Sequence, residues 1–237
     1  TFDALVNLSA LNLSRNRLRA IEKGVFGSET LLSKLTKLDL TENQLEQIEG
    51  ECFGLANLTE LRLDANNLGS IANGAFKACT NLELLYLGQN RLERLESAVF
   101  EGLYRLKELN LSENRIGTID ENTFDGLECL DWLDLSTNEL VSLAENTFSG
   151  LSHLRTLSLH SNRINTLTPG TFAHLGSTLN YLDLGRNELN GAGLQQAFKH
   201  LASLDKLNVS ENFIGYLEPD TFKGLTGLSE LVVAAAQ

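Results

Sequence analysis

The sequence has no methionine, two prolines, three cysteines and one tryptophan, and it sets only 19 lysines and arginines against 31 aspartates and glutamates. Each shortage excludes something. Three cysteines cannot all pair with one another and their spacing fits no zinc-ligand pattern, so no disulfide framework and no metal centre is expected. Free thiols are the expectation, with a Cys52–Cys79 link between neighbouring segments as the alternative. A net charge of −12 leaves too few clustered cations to track phosphates, which argues against nucleic acid as a partner. A macromolecule meeting this surface should be neutral or basic at the contact. The longest apolar run, Leu231–Ala236, is far short of the roughly 20 residues that span a bilayer, so no membrane contact is expected in this segment. No basic stretch followed by an apolar one opens the chain, so any signal peptide lies outside it or has been removed.

What is abundant is leucine, 50 of 237 residues, together with 22 asparagines. An ordinary core mixes Val, Ile, Met and Phe with Leu, so joint enrichment of Leu and Asn points to a repeated strand-and-turn unit. The pattern Leu-x-x-Leu-x-Leu-x-x-Asn-x-Leu starts at Leu8, Leu35, Leu58, Leu82, Leu106, Leu130, Leu154, Leu179, Leu204 and Leu228, at spacings of 23 to 27 residues. Eight residues after each of the first nine starts stands an asparagine: Asn16, Asn43, Asn66, Asn90, Asn114, Asn138, Asn162, Asn187 and Asn212. A second row, Phe26, Phe53, Phe76, Phe100, Phe124, Phe148, Phe172, Phe198 and Phe222, marks the far side of each unit.

Units such as LKELNLSENRIGTIDENTFDGLEC and LDWLDLSTNELVSLAENTFSGLSH resemble the 24-residue "typical" subtype of the leucine-rich-repeat superfamily. The resemblance covers essentially the whole chain. It implies an α/β-type repeat solenoid, a curved horseshoe with a concave parallel β-sheet and a mostly irregular convex side. It also implies an extracellular or cell-surface setting, similar to Toll-like receptor and other cell-surface ectodomains. The division expected is a partial repeat over 1–7, nine full repeats over 8–227 and a truncated tenth over 228–237. Cysteine-rich end caps, usual in extracellular members, are missing from the sequence. A piece of a longer ectodomain is therefore expected, with Ala234–Gln237 foreign to the repeat; the alternative is that a partner covers the open end.

The physics of the pattern stands apart from the resemblance. Alternation in Leu-x-x-Leu-x-Leu turns the leucines inward over a short strand, and stacked units pair their strands into one parallel sheet. Each asparagine sits where the chain leaves the strand, and its amide can both donate to and accept from backbone groups of its own and the next turn. Two units deviate: GSETLLSK after Phe26 carries three extra residues, and ELNGAGLQQA after Asn187 loses the usual Ile position. Both read as loop variants, the second continuing as GLQQAFKHLASL into a short convex helix.

Function is expected on the outward strand positions. These carry 13 acidic and seven basic residues over ten units, among mostly small polar side chains. Leu84, Tyr86, Trp132 and Tyr181 stand out against that background, with Asp134, His160, Asp183 and Arg186 close by. Trp, Tyr and Arg are the types that anchor protein interfaces. These eight are the candidate ligand-binding residues. Scattered exposed aromatics are normal on any surface, and this is the competing reading.

A catalytic triad from Ser136, His160 and Asp183 or Asp134 lacks a nucleophile elbow, oxyanion donors and a water-excluding pocket, so no enzyme and no cofactor is expected. Five N-x-Ser/Thr sequons, Asn7, Asn12, Asn57, Asn110 and Asn208, are candidate glycan sites. The resulting expectation is the ligand-recognition region of a cell-surface receptor. Its rivals are a secreted matrix or guidance protein and a homophilic adhesion module that forms a homodimer. A strict monomer in light scattering across concentration would remove the last.

Overall fold

A computed structural model describes residues 2, 5–26, 32–194 and 197–234. Ten three-residue strands form one parallel sheet: β1 (Ala10–Asn12), β2 (Lys37–Asp39), β3 (Glu60–Arg62), β4 (Leu84–Tyr86), β5 (Glu108–Asn110), β6 (Trp132–Asp134), β7 (Thr156–Ser158), β8 (Tyr181–Asp183), β9 (Lys206–Asn208) and β10 (Glu230–Val232). They pair in chain order. The register aligns equivalent motif positions, so Leu85, Leu109, Leu133 and Leu157 follow one another inward across β4 to β7. Two small lateral pairs, Gln47–Ile48 with Ser70–Ile71 and Arg94–Leu95 with Thr118–Ile119, lie beyond the turns.

The core is one continuous row of leucines with the phenylalanines at its back. Ring stacks link Phe2, Phe26, Phe53 and Phe76, then Phe100, Phe124, Phe148 and Phe172, then Phe198 and Phe222, with centroids 5.7–6.3 Å apart. Paired strands sit only about 4.7–4.9 Å apart. Each unit is thus wider on the phenylalanine side than on the strand side. The stack bends with the sheet inside, which makes the sheet face concave. Close approach on the outer side is permitted by glycine at Gly150, where a Cβ would fall 2.5 Å from the Phe124 carbonyl oxygen.

Inside the turns, Asn43, Asn66, Asn90, Asn114, Asn138, Asn162 and Asn187 are 5–8% exposed. Asn114 is representative: Nδ2 donates to the carbonyls of Leu87 (3.0 Å), Leu111 (3.1 Å) and Ser112 (3.2 Å), and Oδ1 accepts the Leu92 N–H (3.1 Å). From Leu13 to Leu184 the carbonyl that ends each strand is shared by two amides, as Leu87 O is by Asn90 and Asn114. Among the described residues Asn16 bonds only to its own turn, through Leu13 O and Ser14 O, and is exposed; Asn212 is half-buried.

The residue before each ladder asparagine adopts a left-handed backbone, with φ between +53° and +58° from Arg15 through Thr137 to Glu211. No glycine occupies this row, so the turn is held by the asparagine network against local preference. The β-branched residue suffers most. Thr137→Asn is expected to stabilise the chain by about 0.5–1 kcal/mol, because Asn tolerates this region and the Thr137 side chain is exposed. An unchanged or lower urea midpoint would contradict this.

Most of the segment inserted after Phe26 lies outside the described residues. The helix near the second irregular unit is shorter and earlier than the sequence suggests. It spans Gly191–Leu194, and 197–200 form turns. Its position follows from Asn190, whose Oδ1 accepts the Gly193 N–H at 2.8 Å as a helix cap. A further short 3₁₀ turn covers Ala173–Leu175.

Candidate binding face

Strand alternation sends the central leucine of each strand inward and its two neighbours onto the concave face. Leu84 and Tyr86 stand on β4, Trp132 and Asp134 on β6, Tyr181 and Asp183 on β8, all half-buried. The register places Leu84, Glu108, Trp132, Thr156 and Tyr181 in one line across five strands. Leu84 and Tyr181 are each two strands from Trp132, roughly 10 Å at sheet spacing. Leu84, Trp132 and Tyr181 therefore share a face with polar residues between them. They do not touch as a cluster.

Hydrogen bonds tie the aromatics to carboxylates. Tyr86 Oη donates to Glu108 Oε2 at 3.0 Å and Tyr181 Oη to Asp183 Oδ2 at 3.1 Å. Burial, together with these carboxylates, pushes both phenols up to about 12, so they stay protonated donors at neutral pH. Asp183 Oδ1 accepts from the Gly185 N–H (2.8 Å) and from Asn208 Nδ2 (3.0 Å), and lies 3.4 Å from the half-exposed His160 imidazole. Asp134 Oδ1 accepts the Ser136 N–H at 2.8 Å. Asp64, above β3, accepts the Gly88 N–H, and its carboxyl is raised above the usual carboxylate range mainly by burial.

Arg186 behaves differently from the other candidates. Its backbone is in the left-handed row and its guanidinium bonds Glu211 at 2.8 Å, toward the next unit and away from Tyr181. Glu108 was not singled out by the sequence reading. Its signal was available, since it holds the same motif position as Leu84 and Trp132 on the strand between them.

Of the imagined triad, Ser136 is engaged through its backbone N–H with Asp134, and His160 stands beside Asp183 on an open sheet. Cys52 and Cys79 are buried free thiols pushed up to about 11 and about 12 by desolvation, while Cys129 is exposed and free. Among the described residues no group of three or more His, Cys, Asp or Glu side chains is placed to hold a metal ion.

The sequons divide by position. Asn7 and Asn57 are exposed on the flank before the strands, bonded to Lys34 Nζ and Ser33 O. Asn12, Asn110 and Asn208 lie on the sheet face, where each Oδ1 accepts both the N–H and the hydroxyl of the sequon serine.

Against known proteins, the leucine rich repeat family matches residues 6–68, 56–103, 80–140, 130–189 and 177–235. The chain belongs to the leucine-rich-repeat family. No curated protein sequence matches it. Among solved structures it is similar to the Toll–Spatzle complex of Drosophila, at 26% identity and a TM-score of 0.77 over 98% of this chain and 34% of that one. The TLR13–ssRNA13 complex is similar at 28% identity and 0.68, over 98% and 40%. A leucine-rich-repeat protein of Leptospira interrogans is similar at 29% and 0.79, over 98% and 56%. The chain thus spans about a third to a little over half of these relatives. Leucine-rich-repeat domains are typically protein-binding modules and generally non-catalytic.

Proposed function

We propose that this leucine-rich-repeat chain is a ligand-recognition segment of a cell-surface receptor ectodomain, and that it holds a protein or similar macromolecule on its concave face. The observation that carries this reading is the line of half-buried Leu84, Trp132 and Tyr181 on a face whose other positions are mostly charged or small and polar. Rigid aromatics on a preformed strand lose little entropy when a partner covers them, and they are the usual interface anchors. Likeness to Toll over 98% of the chain supports the receptor setting. The relative whose structure is a complex with ssRNA raises nucleic acid as a partner class. The acidic excess on this face opposes it, because phosphates would be repelled.

The test is capture on the wild-type chain from fluid bathing the source cells, followed by affinity measurement of the captured protein on two baits. With folding verified, Trp132→Ala combined with Tyr181→Ala should weaken binding at least tenfold. Equal affinity for both baits would reject the face.

A further inference from the structure

The charges of the concave face are not distributed evenly, and the distribution says what kind of partner fits. Every lysine and arginine on the face is already held by a carboxylate of a neighbouring unit or strand position. Arg15 pairs with Glu42 (3.1 Å), Lys37 and Arg62 both with Glu60 (2.9 and 2.7 Å), and Lys107 with Glu83 (2.9 Å). Arg155 pairs with Asp131 (3.4 Å), Arg186 with Glu211 (2.8 Å) and Lys206 with Glu230 (2.9 Å). Six of the 13 face carboxylates are used in this way. The other seven have no lysine or arginine partner among the described residues.

Three of those seven, Glu108, Asp134 and Asp183, stand within the middle strands β4 to β8, whose three-residue spans contain no lysine or arginine; the cations that flank those spans, Lys107, Arg155 and Arg186, are the ones already paired. The same positions carry Tyr86, Trp132 and Tyr181. All six side chains are half-buried, so the carboxylates have lost part of their hydration without gaining a lysine or arginine counterion, and Asp183 has only the His160 imidazole beside it at 3.4 Å. The phenol hydrogen bonds aim Glu108 and Asp183 and leave further lone pairs free. Electron-rich ring faces beside unneutralised carboxylates attract cations from both sides. The protein itself displays this chemistry at the border of the region, where the Arg62 guanidinium sits 4.9 Å from the Tyr86 ring centroid.

From this complementarity we infer that the occupant of the middle strands is a polypeptide segment presenting arginine or lysine side chains, seated over Trp132 and Tyr181 and between Glu108, Asp134 and Asp183. The inference rests on the concave-face reading above and names the chemistry of its partner. Along the flanks the carboxylates of Glu42, Glu60 and Glu230 are already neutralised by their own cations and attract a basic segment less than Glu108, Asp134 and Asp183 do, which confines the contact to the middle strands.

Trp132 is the sole tryptophan, so its emission reports on this site directly. The probe is a nine-residue peptide alternating arginine and glycine, compared with the same peptide bearing citrulline, which keeps the shape and loses the charge. The arginine peptide should change Trp132 emission saturably and bind at least tenfold more tightly than the citrulline peptide. Asp134→Asn combined with Asp183→Asn should weaken it at least tenfold. These substitutions spare the fold by the protein's own precedent, since Asn110 and Asn208 occupy the same strand-end position and accept the same i+2 N–H. Asp39→Asn, the same exchange on β2, should leave binding within twofold. Equal binding of the two peptides, no saturable change, or equal loss in the Asp39→Asn control overturns the inference. If a captured natural partner is lost with the Trp132 and Tyr181 substitutions yet indifferent to the Asp134 and Asp183 pair, the face stands and its cationic partner does not. Indifference to both sets removes the two readings together.

Discussion

Asn114→Ala should lower stability by about 2–4 kcal/mol, and the loss should be local in origin. The Leu92 N–H has the Asn114 Oδ1 as its acceptor (3.1 Å) and would be left buried without one, a cost of about 1–3 kcal/mol. Leu87 O and Leu111 O lose one donor each but keep Asn90 and Asn138, so sharing softens the damage. The remainder comes from those weakened bonds and the space left by a buried amide. Asn16→Ala, at the exposed end where the amide serves only its own turn, should cost less than about 1 kcal/mol. Urea denaturation compares the two, and amide hydrogen exchange at Leu92 reads the local effect. Protection of Leu92 unchanged in Asn114→Ala would show that the ladder does not hold the turn.

Phe124→Ala should be more severe, at about 3–5 kcal/mol. The ring is 1% exposed and lies between Phe100 at 6.0 Å and Phe148 at 6.3 Å, nearly parallel to both. Its removal opens a cavity that neither neighbour can fill, because Phe148 is fixed by the Phe172 ring beyond it and both neighbours are held by their own backbone turns. Phe124→Leu retains most of the apolar volume and should recover more than half of the loss. In a stacked array each unit contacts only its neighbours, so the hole severs the link between the two halves of the molecule. Thermal unfolding should then broaden or split into two transitions. A single sharp transition with the wild-type midpoint would mean that the leucine rows alone hold the stack.

Sheet, ladder and phenylalanine row were legible because each recurs at a fixed motif position, and a short period places equivalent residues side by side without knowledge of distant contacts. The helix at Gly191–Leu194 was placed too late because the cap formed by Asn190 competes with helix propensity further along. The left-handed row from Arg15 to Glu211 had no signal, since residues as unlike as Thr137, Gln89 and Arg186 occupy it. There the backbone is dictated by the asparagine that follows.

By itself the sequence determined the repeat, the direction of every strand residue and therefore which side chains share the concave face. It did so because a period-two strand inside a 24-residue repeat leaves no freedom of facing. Only the tertiary structure decided which charges on that face are already spent. Ion pairs such as Lys107 with Glu83 and Arg155 with Asp131 join residues 24 positions apart, and whether long side chains meet depends on rotamer and on spacing between strands. That contest, settled in space, left Glu108, Asp134 and Asp183 beside the aromatics without a cation.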